Sequence, residues 1–347
     1  MTTSLVIQTS FLGDTVLTTP LLAELARHGP VDVVTTCASA PLLAHDPNVR
    51  RVIAFDKSGA DRGVAGLART AVRIRAWWRE RGDDPRRTHA YLAQGSLRSA
   101  ALAVLARVPA RTGFDDAAGR MLYTERIPRR TDEHHAARLL SLGGGRPASL
   151  SEAASIAPHL YPGNDDRRAV DALLAQHPSD RSIVALAPGS IWGTKRWPYY
   201  RDLTERLASR FRIAIVGGQE DSELARAIAD VAGADTIDAT GRLGLLASAE
   251  LIRRAMVLVT NDSLPQHLAS AVGTPTITIF GPTVPGFGFG PLAPKSITLG
   301  IETLPCRPCH HHGPRVCPLG HWRCMRDLDA DRVDAAVALI TTHVTRK

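Results

Sequence analysis

The sequence predicts an α/β protein built from two parallel sheets, each covered by helices on both faces. Short runs rich in Val, Ile and Leu stand at residues 5–9, 31–35, 52–55, 90–92, 183–187, 213–216, 236–238, 257–260 and 276–280. Between them lie stretches such as 65–81, 199–211 and 222–232, whose apolar residues recur three and four apart, the period of an amphipathic helix. Strand–helix alternation of this kind selects parallel sheets. A chain of 347 residues also exceeds one ordinary core and suits two domains of roughly 150–170 residues. The alternation resets in a Gly-, Pro- and Ser-rich stretch at 143–166, read as a linker followed by an extended strand; we place the domains at 1–162 and 163–347.

Hydrophobic residues make up 44% and charged residues 22%, the balance of a folded globular protein rather than a disordered one. No apolar run approaches the ~20 residues that span a bilayer. The first residues run into a strand without the basic region and cleavage site of a signal peptide, so the cytoplasm is the expected compartment. The net charge of +8 favours an anionic partner: a nucleotide, a phosphorylated glycan or a membrane surface. Nucleic acid is not expected, because no basic motif is interleaved with aromatic residues. Near the end, 327–345 reads as a helix whose Asp327, Asp329 and Asp331 cap its start and complement its dipole, rather than bind metal.

Ligands of open α/β sheets sit outside the carboxyl ends of the strands, so the strand-to-helix loops carry the chemistry. After the first strand comes Ser10-Phe11-Leu12-Gly13-Asp14-Thr15. Gly13 permits a tight turn or a close ligand approach, and Asp14 stands at a helix start as either a cap or a catalytic carboxylate. A single glycine here excludes the G-x-G-x-x-G of a dinucleotide site. Pro20 interrupts the helical pattern, which suggests that Thr19 caps a second helical start.

In the second half, Pro188-Gly189-Ser190-Ile191-Trp192-Gly193-Thr194-Lys195-Arg196-Trp197-Pro198 gathers glycine, hydroxyls and two cations before a helix, a combination suited to a diphosphate. Trp197 is expected to dock that helix. Further on, Asn261-Asp262-Ser263-Leu264-Pro265-Gln266-His267 offers a second anion site at a helix start, with His267 one turn inside. Phe280-Gly281-Pro282-Thr283 forms another small-residue turn at the same edge.

These motifs, in this order and over almost the whole chain, resemble glycosyltransferase family 9, the ADP-heptose heptosyltransferases of lipopolysaccharide inner-core assembly, and are closer to its heptosyltransferase II branch. The resemblance implies a GT-B fold of two Rossmann-like domains with a cleft between them. The acceptor would bind the N-terminal domain and an ADP-sugar the C-terminal one. Asp14 falls on the family's catalytic aspartate, Lys195 on the lysine that meets the donor diphosphate, and Asp262, Ser263 and His267 on its nucleotide motif. Asp221 matches an acidic position near the ribose, and Leu243 a residue flanking adenine. Gly13, Ser190, Thr194 and Gly281 complete the expected donor set. Leu264 departs from the family, many of whose members have Gly there.

The implied reaction is an inverting transfer: Asp14 takes the acceptor hydroxyl proton while Lys195, Ser190, Ser263 and helix-start amides meet the charge on the leaving ADP. No D-x-D motif sits on a strand–helix loop, so no cofactor is expected for catalysis, and domain closure would bring the halves together. Arg98, Arg111 and Arg120 are candidates for acceptor phosphates, each also readable as a solvated arginine. The acceptor is expected to be an anionic glycolipid, with peripheral contact at the inner membrane surface. Transfer to a protein or small molecule, and a non-catalytic ADP-sugar sensor, are the alternatives.

One segment stands apart. Cys306, Cys309, Cys317 and Cys324 fall within nineteen residues, interspersed with four histidines. Their spacing suits a structural Zn or Fe site, and the related protein O-heptosyltransferases are similar in holding iron through clustered cysteines. Reduced thiols and disulfides are the alternatives. Cys37, alone in the first half, is expected to be a buried small hydrophobe.

Overall fold

The computed structural model describes residues 2–145, 156–233 and 235–342. The chain divides into two compact units, Met1–Leu160 and Tyr161–Lys347. In the first, β1 (Thr3–Gln8), β2 (Val31–Thr36), β3 (Arg51–Phe55), β4 (Thr88–Tyr91), β5 (Ala110–Phe114) and β6 (Glu125–Ile127) form one sheet in the order β3-β2-β1-β4-β5-β6. In the second, β7 (Ile183–Ala187), β8 (Arg212–Ile215), β9 (Ile237–Asp238), β10 (Val257–Asn261), β11 (Thr276–Ile279) and β12 (Ser296–Leu299) take the order β12-β11-β10-β7-β8-β9. Every pairing in both sheets is parallel. Each unit therefore starts in the middle, works outward for three strands, crosses back and works outward the other way. Its direction switches between β1 and β4 in one unit and between β7 and β10 in the other, the places where open sheets bind ligands.

The helices are α1 (Leu12–Ala26), α2 (Gly63–Glu80), α3 (Leu97–Leu105), α4 (His135–Ser141), α5 (Asn164–Ala175), α6 (Tyr200–Leu207), α7 (Ser222–Ala232), α8 (Leu245–Arg254), α9 (Leu264–Val272), α10 (Arg323–Arg326) and α11 (Ala330–Thr342). β1 and β10 are buried at every residue, as strands covered on both faces must be. In unit 2, Val184, Leu186, Val257, Val259, Ile277 and Ile279 pack with Leu203, Ile228, Val333 and Val337 from three helices. Each such side chain contributes about 1.5–3 kcal/mol by leaving water.

All nine expected strands form, and β5, β6 and β12 are additions. The linker expected at 143–166 lies partly outside the described residues, at 146–155. The extended strand expected after it does not form among the described residues, where α5 already begins at Asn164. Asp329 does accept from the Arg332 backbone N–H at 2.9 Å, as a capping residue of the last helix, whose expected end at 343–345 lies outside the described residues.

The expectation for Pro20 is overturned. α1 runs unbroken through it. Proline cannot donate to the carbonyl four residues back, but the Thr19 hydroxyl donates to that same oxygen, Val16 O, at 2.8 Å. Thr18 likewise donates to Asp14 O at 2.7 Å. The Thr19 hydroxyl thus stitches the helix across the break. Cys37 also departs from expectation: it lies exposed in the turn after β2.

Candidate functional site

In unit 1 the switch point delivers Asp14. Phe11 is the N-cap of α1 and has no capping side chain, so Asp14 is the third helical residue rather than the cap. A carboxylate in the first turn complements the positive end of the helix. Gly13 precedes it, half-buried. The Asp14 side chain is 18% exposed, and its Oδ1 lies 3.8 Å from Nε2 of His135, the first residue of α4. That contact is not an ion pair. Burial above all, and then Arg138, His134 and Arg129, lower the His135 pKa to about 3, so the imidazole is neutral. Beside it, Gln94 Oε1 accepts from the hydroxyls of Thr9 at 2.7 Å and Ser99 at 2.8 Å, and Lys57 Nζ donates to Thr9 O at 2.8 Å. Lys57, Gln94 and Ser99 lie in loops where the sequence places acceptor recognition, though not the bonds that join them across up to 90 residues.

In unit 2 three loops converge at the strand ends. Lys195 Nζ donates to Asp262 Oδ2 at 2.6 Å, and both side chains are about nine-tenths buried. The same oxygen accepts from Thr283 Oγ1 at 2.7 Å, while Asp262 Oδ1 accepts from Gln266 Nε2 at 3.1 Å. The Lys195 ammonium is thereby fixed at the sheet edge with one of its donors spent. Buried Asn261 ties the loops together: its Nδ2 donates to Pro188 O at 2.8 Å and its Oδ1 accepts from Trp197 N at 3.2 Å. Trp197 is buried and its indole donates to Leu328 O at 2.8 Å, the docking role expected of it.

Ser263 is the N-cap of α9 but makes no capping bond, leaving the positive helix end and its amides at this edge. His267 is buried one turn further in, its Nε2 3.4 Å from Gln266 Nε2. Asp221 is buried beside the first loop, and a Cβ on Gly189 would lie 2.2 Å from its carboxylate, so only glycine fits there. Burial raises the Asp221 pKa against the opposing bond from Gly218 N–H. Ser190 is half-buried, its Oγ accepting from Trp192 N at 3.3 Å. Leu243 is half-buried in the loop after β9.

Some expected contacts are placed elsewhere. Thr194 is buried and donates through both its amide and its hydroxyl to Pro314 O, so the hydroxyl is already committed. Gly281 is buried, and a Cβ there would stand 2.7 Å from the end of the Met325 side chain. Arg111 spends its guanidinium on the carbonyls of Leu122, Val108 and Pro109. Arg98 and Arg120 are exposed.

The structural metal expected at the cysteine segment is not supported. Among the described residues, no three His, Cys, Asp or Glu side chains are grouped so that they could hold a metal ion. Cys306, Cys309, Cys317 and Cys324 are free thiols of unequal exposure, from exposed Cys309 to buried Cys324. Burial, followed by the other three thiols, pushes Cys324 up to about 11, and burial raises Cys309 too.

The family model of glycosyltransferase family 9 (heptosyltransferase) matches residues 86–322. Lipopolysaccharide heptosyltransferase 1 of Pseudomonas aeruginosa is 30% identical over 330 residues, covering 88% of this chain and 85% of that protein. Among solved structures, the family 9 glycosyl transferase of Veillonella parvula superposes with a TM-score of 0.85 at 21% identity, covering 99% of this chain and 98% of the other. The ADP-heptose lipopolysaccharide heptosyltransferase II of E. coli gives 0.77 at 22%, covering 99% of each. The two sheets of identical topology and these likenesses define a GT-B fold, and the chain belongs to glycosyltransferase family 9, the heptosyltransferases.

Proposed function

We propose that this enzyme transfers a heptose from ADP-L-glycero-D-manno-heptose to a lipopolysaccharide inner-core acceptor, inverting the anomeric centre. The observation that carries the reading is the pair of switch points. One presents a partly exposed carboxylate, Asp14, and the other a buried cation, Lys195, beside the uncapped start of α9. The E. coli relative is an ADP-heptose enzyme by its description, and the net charge of +8 suits a phosphorylated acceptor at an anionic membrane surface.

In this mechanism Asp14 accepts the proton of the acceptor hydroxyl as its oxygen attacks the anomeric carbon. The bond from that carbon to the donor phosphate oxygen breaks, and ADP leaves with the electron pair from the opposite face. Neutral His135 adds no competing charge beside the base. Lys195, Ser190 and the amides starting α9 meet the charge that grows on the diphosphate. Asp262 orients the lysine and Thr283 orients Asp262. Asp221 and Leu243 would border the nucleoside, with His267 behind the diphosphate.

Replacing Asp14 by Asn keeps shape and removes the base. The expected loss of turnover is about 10²–10⁴-fold, the range of general-base contributions, with ADP affinity unchanged. Near-wild-type transfer by Asp14→Asn would show the base to be another group.

A further inference from the structure

The cysteine segment holds no metal-binding group, yet it makes dense contacts with the donor-site loops. All four carbonyls of the Phe280-Gly281-Pro282-Thr283 turn accept from it. Arg307 donates through Nε to Gly281 O at 2.7 Å, and through Nη2 to Phe280 O at 3.0 Å and Thr283 O at 3.1 Å. Cys309 N donates to Pro282 O at 3.0 Å. The remaining Arg307 nitrogen, Nη1, donates to Ile301 O at 3.0 Å. A Cβ on Gly300 would stand 2.6 Å from Nη2, so glycine makes room for the guanidinium. The planar fork of arginine can serve several carbonyls at once, which a lysine cannot do.

The turn held in this way carries Thr283, whose hydroxyl shares Asp262 Oδ2 with Lys195. The same segment touches the lysine from a second side. A Cβ on Gly313 would lie 3.2 Å from Lys195 Cγ and Cε and from Pro282 Cγ, and Thr194 is bonded to Pro314 O. An unbroken run of contacts leads from Arg307 through the turn, Thr283 and Asp262 to the Lys195 ammonium.

We propose that Arg307 is a positioning residue for donor binding: it fixes the 280–283 turn so that Thr283 and Asp262 hold Lys195 where the diphosphate binds. This rests on the reading that Lys195 meets the donor diphosphate. The cysteine segment then acts as the strap that carries Arg307 to the site.

The test measures ADP affinity by calorimetry, with turnover kinetics, on the full-length protein carrying Arg307→Met, Arg307→Lys, Thr283→Val or Lys195→Met. Val337→Ala, a truncation in the same core, serves as the control for lost stability alone. Arg307→Met and Thr283→Val should each weaken ADP about tenfold and lower kcat/KM for the donor at least as much, since Lys195 meets charge that grows as the donor bond breaks. Arg307→Lys should fall between wild type and Arg307→Met. The Arg307→Lys and Thr283→Val effects should combine less than additively, since both act through Asp262. Val337→Ala should lower the melting temperature and leave ADP affinity unchanged. ADP affinity within twofold of wild type in Arg307→Lys and Thr283→Val overturns the proposal even if Arg307→Met does not fold. Unchanged ADP affinity in Lys195→Met would instead overturn the donor-site reading beneath it.

Discussion

His135 shows how one buried side chain sets the chemistry beside a catalytic candidate. Its folded pKa of about 3 lies below the ordinary value of 6.5. Between those values the unfolded chain binds the extra proton, so stability falls as the pH drops, and the contribution is complete above 6.5. The slope this residue adds is at most about 1.4 kcal/mol per pH unit. His135→Gln should therefore flatten the loss of stability between pH 6 and pH 4 in denaturant melts; an unchanged slope would mean that the imidazole titrates normally. At this scale the sequence was half legible. Asp14, Lys195 and Asp262 were each identifiable from loop position and family pattern. Their partners were not, because Asp262 lies 67 residues from Lys195 and His135 is distant in the chain from Asp14. For Thr194 and Arg111 the sequence shows a hydroxyl and a guanidinium but not the distant backbone carbonyls of Pro314 and Leu122 that they bond.

The elements were easier to read where burial is symmetric. β1, β7 and β10 lie inside their sheets and carry apolar runs, at residues 5–7, 183–187 and 257–259. β6 and β12 are edge strands with largely exposed or alternating residues, and so carry no such signal. α1 shows the opposite limit, since Pro20 announces a break that the Thr19 hydroxyl repairs. How α2 docks depends on one buried carboxylate. Asp32 of β2 accepts from Trp78 Nε1 at 2.8 Å and from Arg50 at 2.9 and 2.6 Å, and is wholly buried. Asp32→Ala strands the indole N–H and the arginine, and should destabilise unit 1 by about 3–5 kcal/mol. A cost below 1 kcal/mol in fluorescence-detected unfolding would show that water or Asp83 replaces the lost partner.

At the scale of the whole molecule, both units follow one plan, with a switch point between their first and fourth strands. The strand–helix alternation made that plan legible, whereas strand order itself was not, because periodicity says nothing of which strands are neighbours. The same blindness applied to the cysteine segment, whose spacing leaves metal, thiol and disulfide open and gives no sign that Arg307 and Cys309 bond the carbonyls of residues 280–283. The central claim is heptose transfer with Asp14 as base, and one assay tests it most directly. Purified enzyme is incubated with labelled ADP-heptose and core-deficient lipopolysaccharide, and the product linkage is determined. The account predicts one heptose added per acceptor, in the anomeric configuration opposite to the donor, and about 10²–10⁴-fold slower transfer by Asp14→Asn. A product that retains the donor configuration, or no transfer by the wild-type enzyme to that acceptor, would contradict it.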